Sequence, residues 1–394
     1  MRVAAKFLEF AAGLARDQEE ERSKLAPDLG RSLEAIGELR RAEEVLHEAA
    51  AEAGEAPARF AFLERASLRD YTEANGDSFR DLQTAPDRAR DSAPDVAARA
   101  GILDAEVSWT TGAYGDMEGQ LDSASAAAGR VEDPENRRSL FNAIQGWQAR
   151  GMLLGPERAD VGLTRCKEMV KGARADGSRA LEASLLAVCA GLHAMQDEFA
   201  EARDLYKESR RIGEAVGLTA WLGALALYSG PVELLAGKPA DAARQLRRGL
   251  VALERMGDRS RGATTAAFLA HALYEDGQLD KAKECALRSK ELAAEDDVFT
   301  QAVWRGALAK ILASQSDSDE ALAHARKAME LAGGTDGPNL KGDAFFDLAV
   351  VLKACEQPDD AKNAAKSARE CYVAKGNKAG VRRVEREFEE IAAT

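Results

Sequence analysis

The fourteen residues LAHALYEDGQLDKA (269–282) carry a complete helix–turn–helix junction. Leu269 and Leu273 fall on one helical face, Gly277 closes the first helix, Leu279 returns to the core and Ala282 starts the packed face of a second helix. Working outward, Ala282 belongs to a column: Ala202, Ala242, Ala282, Ala321 and Ala361, separated by 40, 40, 39 and 40 residues. Twelve residues before each lies another small residue (Ala190, Gly230, Ala270, Ala309, Ala349). Five before each lies a glycine or polar residue (Asp197, Gly237, Gly277, Ser316, Glu356). Two antiparallel helices approach closely only where the side chains at their crossing are small, and the position between them must turn the chain. The three columns in one register therefore predict stacked helix pairs.

This spacing resembles the tetratricopeptide (TPR) pattern. The unit at 23–54 matches it through Leu29, Gly30, Leu33, Gly37, Leu39, Ala42, Leu46 and Ala49. A looser unit runs through Ala105, Gly112, Tyr114, Met117, Leu121 and Ala124, with Met117 in place of the usual alanine. The expected fold is all-α, a TPR-like α-solenoid forming a right-handed superhelix of antiparallel helix pairs. Nine pairs are expected near 23–56, 57–92, 94–130, 134–173, 178–215, 218–256, 259–294, 298–334 and 339–375. Pro94 and Pro134 suit first helical turns, and Pro86 should end or kink the second helix of its pair. The expected organisation is an N-terminal half-unit or capping helix over 1–22, continuous repeats over 23–375 and a C-terminal capping helix over 376–394. The first of these presents an apolar face (Val3, Phe7, Phe10, Leu14) with no partner helix before it, as in an arm of a longer protein; a simple cap is the alternative.

Apolar residues make up 45% of the 394 and charged residues 31%, enough for a core with much solvated helix surface. Lys plus Arg total 54 against 67 Asp plus Glu, a net charge of −13, which disfavours a nucleic-acid partner. No apolar run is long enough to span a bilayer, and the N-terminus reads as an amphipathic helix and not as a signal peptide, so no membrane partner is expected. Five cysteines without a CxxC pair fit reduced thiols and a cytoplasmic location.

Several stretches resemble the long C-terminal TPR-like region of bacterial multidomain ATPase regulators of the MalT and AfsR type, including those with a class III adenylate/guanylate cyclase domain. They are ERMGDRSRGATTAAFLAHALYEDGQLDKAKE (254–284), SKELAAEDDVFTQAVWRGALAKILA (289–313) and FDLAVVLKACEQPDDAKNAAKSARECYVAKGN (346–377), with weaker likeness at 153–169 and 192–206. The resemblance implies a sensing or regulatory arm, with a neighbouring ATPase or cyclase domain of a longer parent as one partner. It implies no such chemistry here, because no GxxxxGK[ST] phosphate loop is present. The glycine cluster GGTDGPNLKG (333–342) has the wrong spacing and reads as a connecting loop.

No catalytic constellation stands out, since four histidines are scattered over distant repeats. Cys189 and His193 share a helix face at a zinc-compatible spacing, but core packing outweighs a metal site there. Cys355 and Cys371 read as a buried thiol pair in preference to a redox switch. Trp109, Trp147, Trp221 and Trp304 each fall on a first helix, where packing is the usual role and anchoring a ligand the alternative. Arg244, Arg247, Arg248, Arg255, Arg259 and Arg261 read as a solvated face. The best candidate groove on the concave wall is His271, Tyr274, Lys310, Phe346 and Lys353. The Lys/Asn pattern with which some TPR domains clamp a peptide carboxylate is missing: its positions hold Ala187, Gly191, Leu227, Pro231, Ala267 and His271. The sequence thus points to a non-enzymatic scaffold without metal or cofactor that binds a protein or peptide, with a small-molecule effector in the bore as the second reading.

Overall fold

The computed structural model describes residues 1–14, 19–52, 55–89 and 92–388. Among them there is no strand, and the chain is a TPR-like right-handed α-solenoid. Helix α1 (Arg2–Leu14) precedes nine pairs. These are α2 (Glu19–Ala35) with α3 (Leu39–Glu52), α4 (Glu55–Glu73) with α5 (Gly76–Thr84), and α6 (Pro94–Thr111) with α7 (Asp116–Ala128). Next come α8 (Pro134–Leu154) with α9 (Ala159–Ala175), and α10 (Arg179–Met195) with α11 (Phe199–Val216). In the sixth pair a split first helix, α12 (Thr219–Ala224) and α13 (Ala226–Leu235), packs on α14 (Pro239–Met256). The last three are α15 (Arg259–Glu275) with α16 (Leu279–Leu292), α17 (Val298–Ser314) with α18 (Ser318–Gly333), and α19 (Pro338–Ala354) with α20 (Pro358–Lys375). Helix α21 (Lys378–Glu387) follows; residues 389–394 of the expected C-terminal cap lie outside the described residues.

The columns explain themselves in three dimensions. Ala190, Ala202, Ala242, Ala270, Ala282, Ala309, Ala321 and Ala349 are fully buried at the helix crossings. At Gly230 a methyl would stand 2.6 Å from the Leu246 side chain, so this crossing tolerates only hydrogen. The intervening column is the left-handed residue of each turn: φ is +68° at Gly237 and +77° at Gly277, but also +73° at Asp197, +66° at Ser316 and +58° at Glu356. The following amide reaches back five residues in each turn, as in Gln278 N to Leu273 O (2.8 Å) and Gln357 N to Leu352 O (2.9 Å), closing a Schellman motif. Pro94 and Pro134 occupy the first helical position, and α5 stops two residues short of Pro86, which starts a single 3₁₀ turn. The first helix of the sixth pair breaks at Leu225, where the backbone tightens (Tyr228 N to Leu225 O, 3.1 Å), and Pro231 within α13 has no amide to offer the Leu227 carbonyl.

The superhelix closes on itself every five pairs. First helices five pairs apart touch: α2 with α12, α4 with α15, α6 with α17 and α8 with α19, while α21 meets α10 as the first helix of a tenth pair would. The seam between the turns is made by individual polar groups. The buried Lys375 ammonium donates to three carbonyls at the end of α8, those of Met152, Gly155 and Glu157, each at 2.7 Å. Asp336, in the glycine-rich loop before α19, accepts the amides of Tyr114 (2.9 Å) and Gly115 (2.6 Å). Arg382 forms a two-pronged ion pair with Asp197, and the Gln196 side chain donates to the Gly376 carbonyl (2.9 Å). On α1, Ala5 is buried, whereas Val3, Phe7, Phe10 and Leu14 remain 65–80% exposed.

Candidate functional site

Closure of the superhelix forms a chamber of about 310 Å³, inside the roughly 300–1,000 Å³ span of small-molecule sites. Its wall is built from first helices: Asp70 and Tyr71 on α4, Glu106 and Trp109 on α6, Trp147 and Arg150 on α8, Tyr228 on α13, Arg261, Phe268 and His271 on α15, and Asp343 and Asp347 on α19. Arg383 of α21 completes it. Helices of both turns therefore share one wall.

Aromatic rings set its shape. Trp109 and Trp147 meet edge to face at 5.8 Å, and Trp221 tilts against Tyr228 at 5.4 Å. The Trp221 indole N–H is held by the Ser209 hydroxyl at 3.2 Å, which fixes its ring. Trp304 lies in the core, 1% exposed, and is not in the wall.

Most charges in the wall are matched. Glu106 accepts from Arg99 (3.0 Å) and from the Ser67 hydroxyl (2.6 Å). Glu275 pairs with Arg383 (2.6 Å), and Asp347 with Lys310 (2.7 Å). Burial pushes Asp343 up to about 6, opposed by the Tyr372 hydroxyl that donates to it at 2.6 Å. Asp297 caps α17 by accepting the Thr300 amide (3.0 Å), and Arg261 gives its Nε to Asp258.

Two groups remain. Arg150 lies over the Trp147 ring (4.7 Å) with Tyr71 and Tyr228 as its polar neighbours, and no carboxylate pairs with it among the described residues. Asp70 has no hydrogen-bond or ion-pair partner among them, and burial, reinforced by Glu106 and Asp297, pushes its carboxyl up to about 7. A third group is half matched: the Arg261 guanidinium stacks on Tyr71 (4.6 Å), and its Nη2 is buried with no hydrogen-bond partner.

His271 lies in the wall with its state fixed. The Lys310 ammonium donates to Nδ1 (2.9 Å), so Nε2 carries the hydrogen and donates to the Val303 carbonyl (2.9 Å). Burial, then the Lys310 charge, lowers its pKa to about 4, which keeps the ring neutral. Lys310 itself is 1% exposed behind His271, and Tyr274 lies beneath its ammonium at 5.2 Å. Phe346 is buried under Arg383 (4.2 Å), and Lys353 is exposed, paired with Glu387 (3.0 Å). Of the five groove residues expected from the register, His271 alone is in the chamber wall. The wall takes no residue of α17 past Val303 and none of α19 past Asp347, so Lys310 and Lys353 lie beyond it.

Of the six arginines from 244 to 261, only Arg261 turns inward; the other five are exposed. Cys189 packs with Cys166 in the core, and His193 pairs with Glu198. Among the described residues no group of three or more His, Cys, Asp or Glu is placed to hold a metal ion. Cys355 and Cys371 are free, partly buried thiols. None of the helices described is long and apolar enough to cross a membrane.

No family model matches the sequence, and no curated protein matches it. Solved structures do. The chain is similar to a Rap protein complexed with Competence and Sporulation Factor, with a TM-score of 0.63 and 11% identity over 89% of this chain and 98% of that one. It is similar to the Cut9–Hcn1 APC/C hetero-tetramer, at 0.60 and 12% identity over 89% and 67%. It is also similar to aspartyl phosphate phosphatase F from Bacillus subtilis, at 0.53 and 10% identity over 89% and 93%. At these identities the likeness is one of fold, and that fold is the TPR-like solenoid.

Proposed function

We propose that this chain is a non-catalytic regulatory scaffold that senses a small-molecule effector in its bore and reports it to a protein partner. The observation that carries this reading is the chamber whose wall is shared by two superhelical turns. A ligand there touches helices five pairs apart, so it binds the wound form more tightly than any unwound one and shifts the population toward closure. The outer surface, formed by the second helices, then presents a different curvature to whatever it contacts. A folded protein domain does not fit a chamber of about 310 Å³, so a macromolecular partner engages the outside. Two similar folds were solved with a bound factor or within a hetero-oligomer, which supports a partner-binding role for the architecture. The sequence likeness to MalT- and AfsR-type regulators supports a place beside an ATPase or cyclase domain in a longer cytoplasmic bacterial regulator.

The test is a thermal-shift screen of metabolites on the whole chain, repeated with Leu227→Trp, which fills the chamber from its wall. A stabilising compound whose effect disappears in that variant is the expected result. If no small molecule shifts the midpoint while a protein partner binds the unliganded chain, the effector reading fails and the plain protein scaffold replaces it.

A further inference from the structure

We propose that the chamber's ligand is an organic acid with a flat apolar body, its acid group held by Arg150 with Arg261 as second donor. This deepens the effector reading and rests on it.

The reasoning begins with what the fold leaves unmatched. A guanidinium removed from bulk water is costly unless an anion accompanies it. Every other cation in the wall has one: Arg383 has Glu275 and Arg261 has Asp258. Arg150 has a ring face and two phenols. The Nη2 of Arg261 is buried with no hydrogen-bond partner, and its guanidinium stacks on Tyr71, the phenol that also neighbours Arg150. Two guanidiniums converging on one phenol repel each other, and an anion placed between them relieves both interactions. The planar fork of arginine suits a carboxylate or a phosphate monoester.

The remaining volume identifies the body. A bare inorganic anion would leave most of about 310 Å³ empty against indole and phenol rings. A planar apolar group fills it by packing against Trp109, the less buried of the two crossed indoles, beside the Arg150 guanidinium that lies over Trp147. Asp70, the other unmatched group, accepts an N–H or O–H from the ligand and so selects among acids.

The test uses the full chain and calorimetric titration with a library of carboxylates and phosphate monoesters, each beside its neutral amide or alcohol, 4-hydroxyphenylacetate and indole-3-acetate among them. Inorganic phosphate and acetate serve as bare anions. At least one acid should bind about tenfold or more tightly than its neutral counterpart, as loss of a charge-assisted bond requires. Arg150→Gln should erase that difference while Arg150→Lys keeps part of it, with helix content by circular dichroism unchanged in both. The proposal is overturned if neutral partners bind as well as the acids, if Arg150→Gln leaves the preference intact, if no acid binds, or if the bare anions bind as tightly (an adventitious ion only). Neutral compounds that bind in a manner sensitive to Leu227→Trp would sink this proposal and leave the effector reading standing. Silence from every small molecule would sink both.

Discussion

Within one superhelical turn the two helices of each pair are joined by side chains that hardly differ from pair to pair. Between turns the pairs are joined by groups that occur once. The stack is alanine on alanine, from Ala202 to Ala361 at intervals of 39 or 40 residues, each buried at a crossing. The seam is Lys375 against three carbonyls, Asp336 against two amides and Arg382 against Asp197. Small apolar contacts are interchangeable and favour any helix pair that follows. Polar contacts demand particular partners at particular distances, so they choose one winding among the many that the stack permits.

Breaking the seam should have the largest effect. Lys375→Met leaves the three carbonyls at the end of α8 without their donor and should cost about 3–4 kcal/mol. Its distinguishing readout is small-angle scattering: the radius of gyration should rise while helix content stays constant. An unchanged radius would show that apolar contacts alone hold the turns together. Overpacking the stack should come next. Ala282→Leu forces side-chain volume into a fully closed crossing and should cost about 1–3 kcal/mol by denaturant unfolding, with the turns still apposed below the transition.

The chamber between the two regions gives a pH signature. Burial raises Asp70 to about 7 from an unfolded value near 4. Between those values the native chain holds a proton that the unfolded chain has released, so the parent loses stability as pH rises from about 4 to about 7. Asp70→Asn removes that loss. The variant should be more stable than the parent at pH 8, by about 1 kcal/mol once solvent screening is allowed for, and the gap should close as pH falls toward 4. A constant gap would show that Asp70 does not titrate in that window. The smallest effect separates the two regions most finely. Glu356→Gly relieves a left-handed backbone in the stack and should raise stability by about 0.5 kcal/mol. The same change at Asp197 gives the same relief but forfeits Arg382 across the seam, so its thermal midpoint should move less or in the opposite direction.

The same contrast explains what could be read beforehand. The stack was legible because a repeat writes the same small residue at the same interval, and the left-handed turns were legible where glycine marks them. Asp197, Ser316 and Glu356 were found only by register. The seam was not legible: it depends on small rotations summed over five pairs, and nothing local distinguishes Lys375 from other lysines at helix C-termini. For the same reason the projected groove ran past the end of the chamber to Lys353. Arg150 left a faint signal, since it follows Trp147 by three residues and so shares its helix face. Arg261 was masked by the five arginines preceding it, which belong to the outside.

The five-pair recurrence has a consequence for how this protein can change over generations. An open solenoid can gain or lose a unit by unequal recombination, because each unit recognises only its immediate neighbours. Here each first helix also has an appointed partner in the next coil, up to α10 with α21. Deleting one interior pair would set Lys375 or Asp336 against the wrong backbone and dissolve the compartment as well as shortening the array. Modularity, the usual advantage of such architectures, has been exchanged for an interior, and inheritance must conserve the number of units as strictly as any single residue.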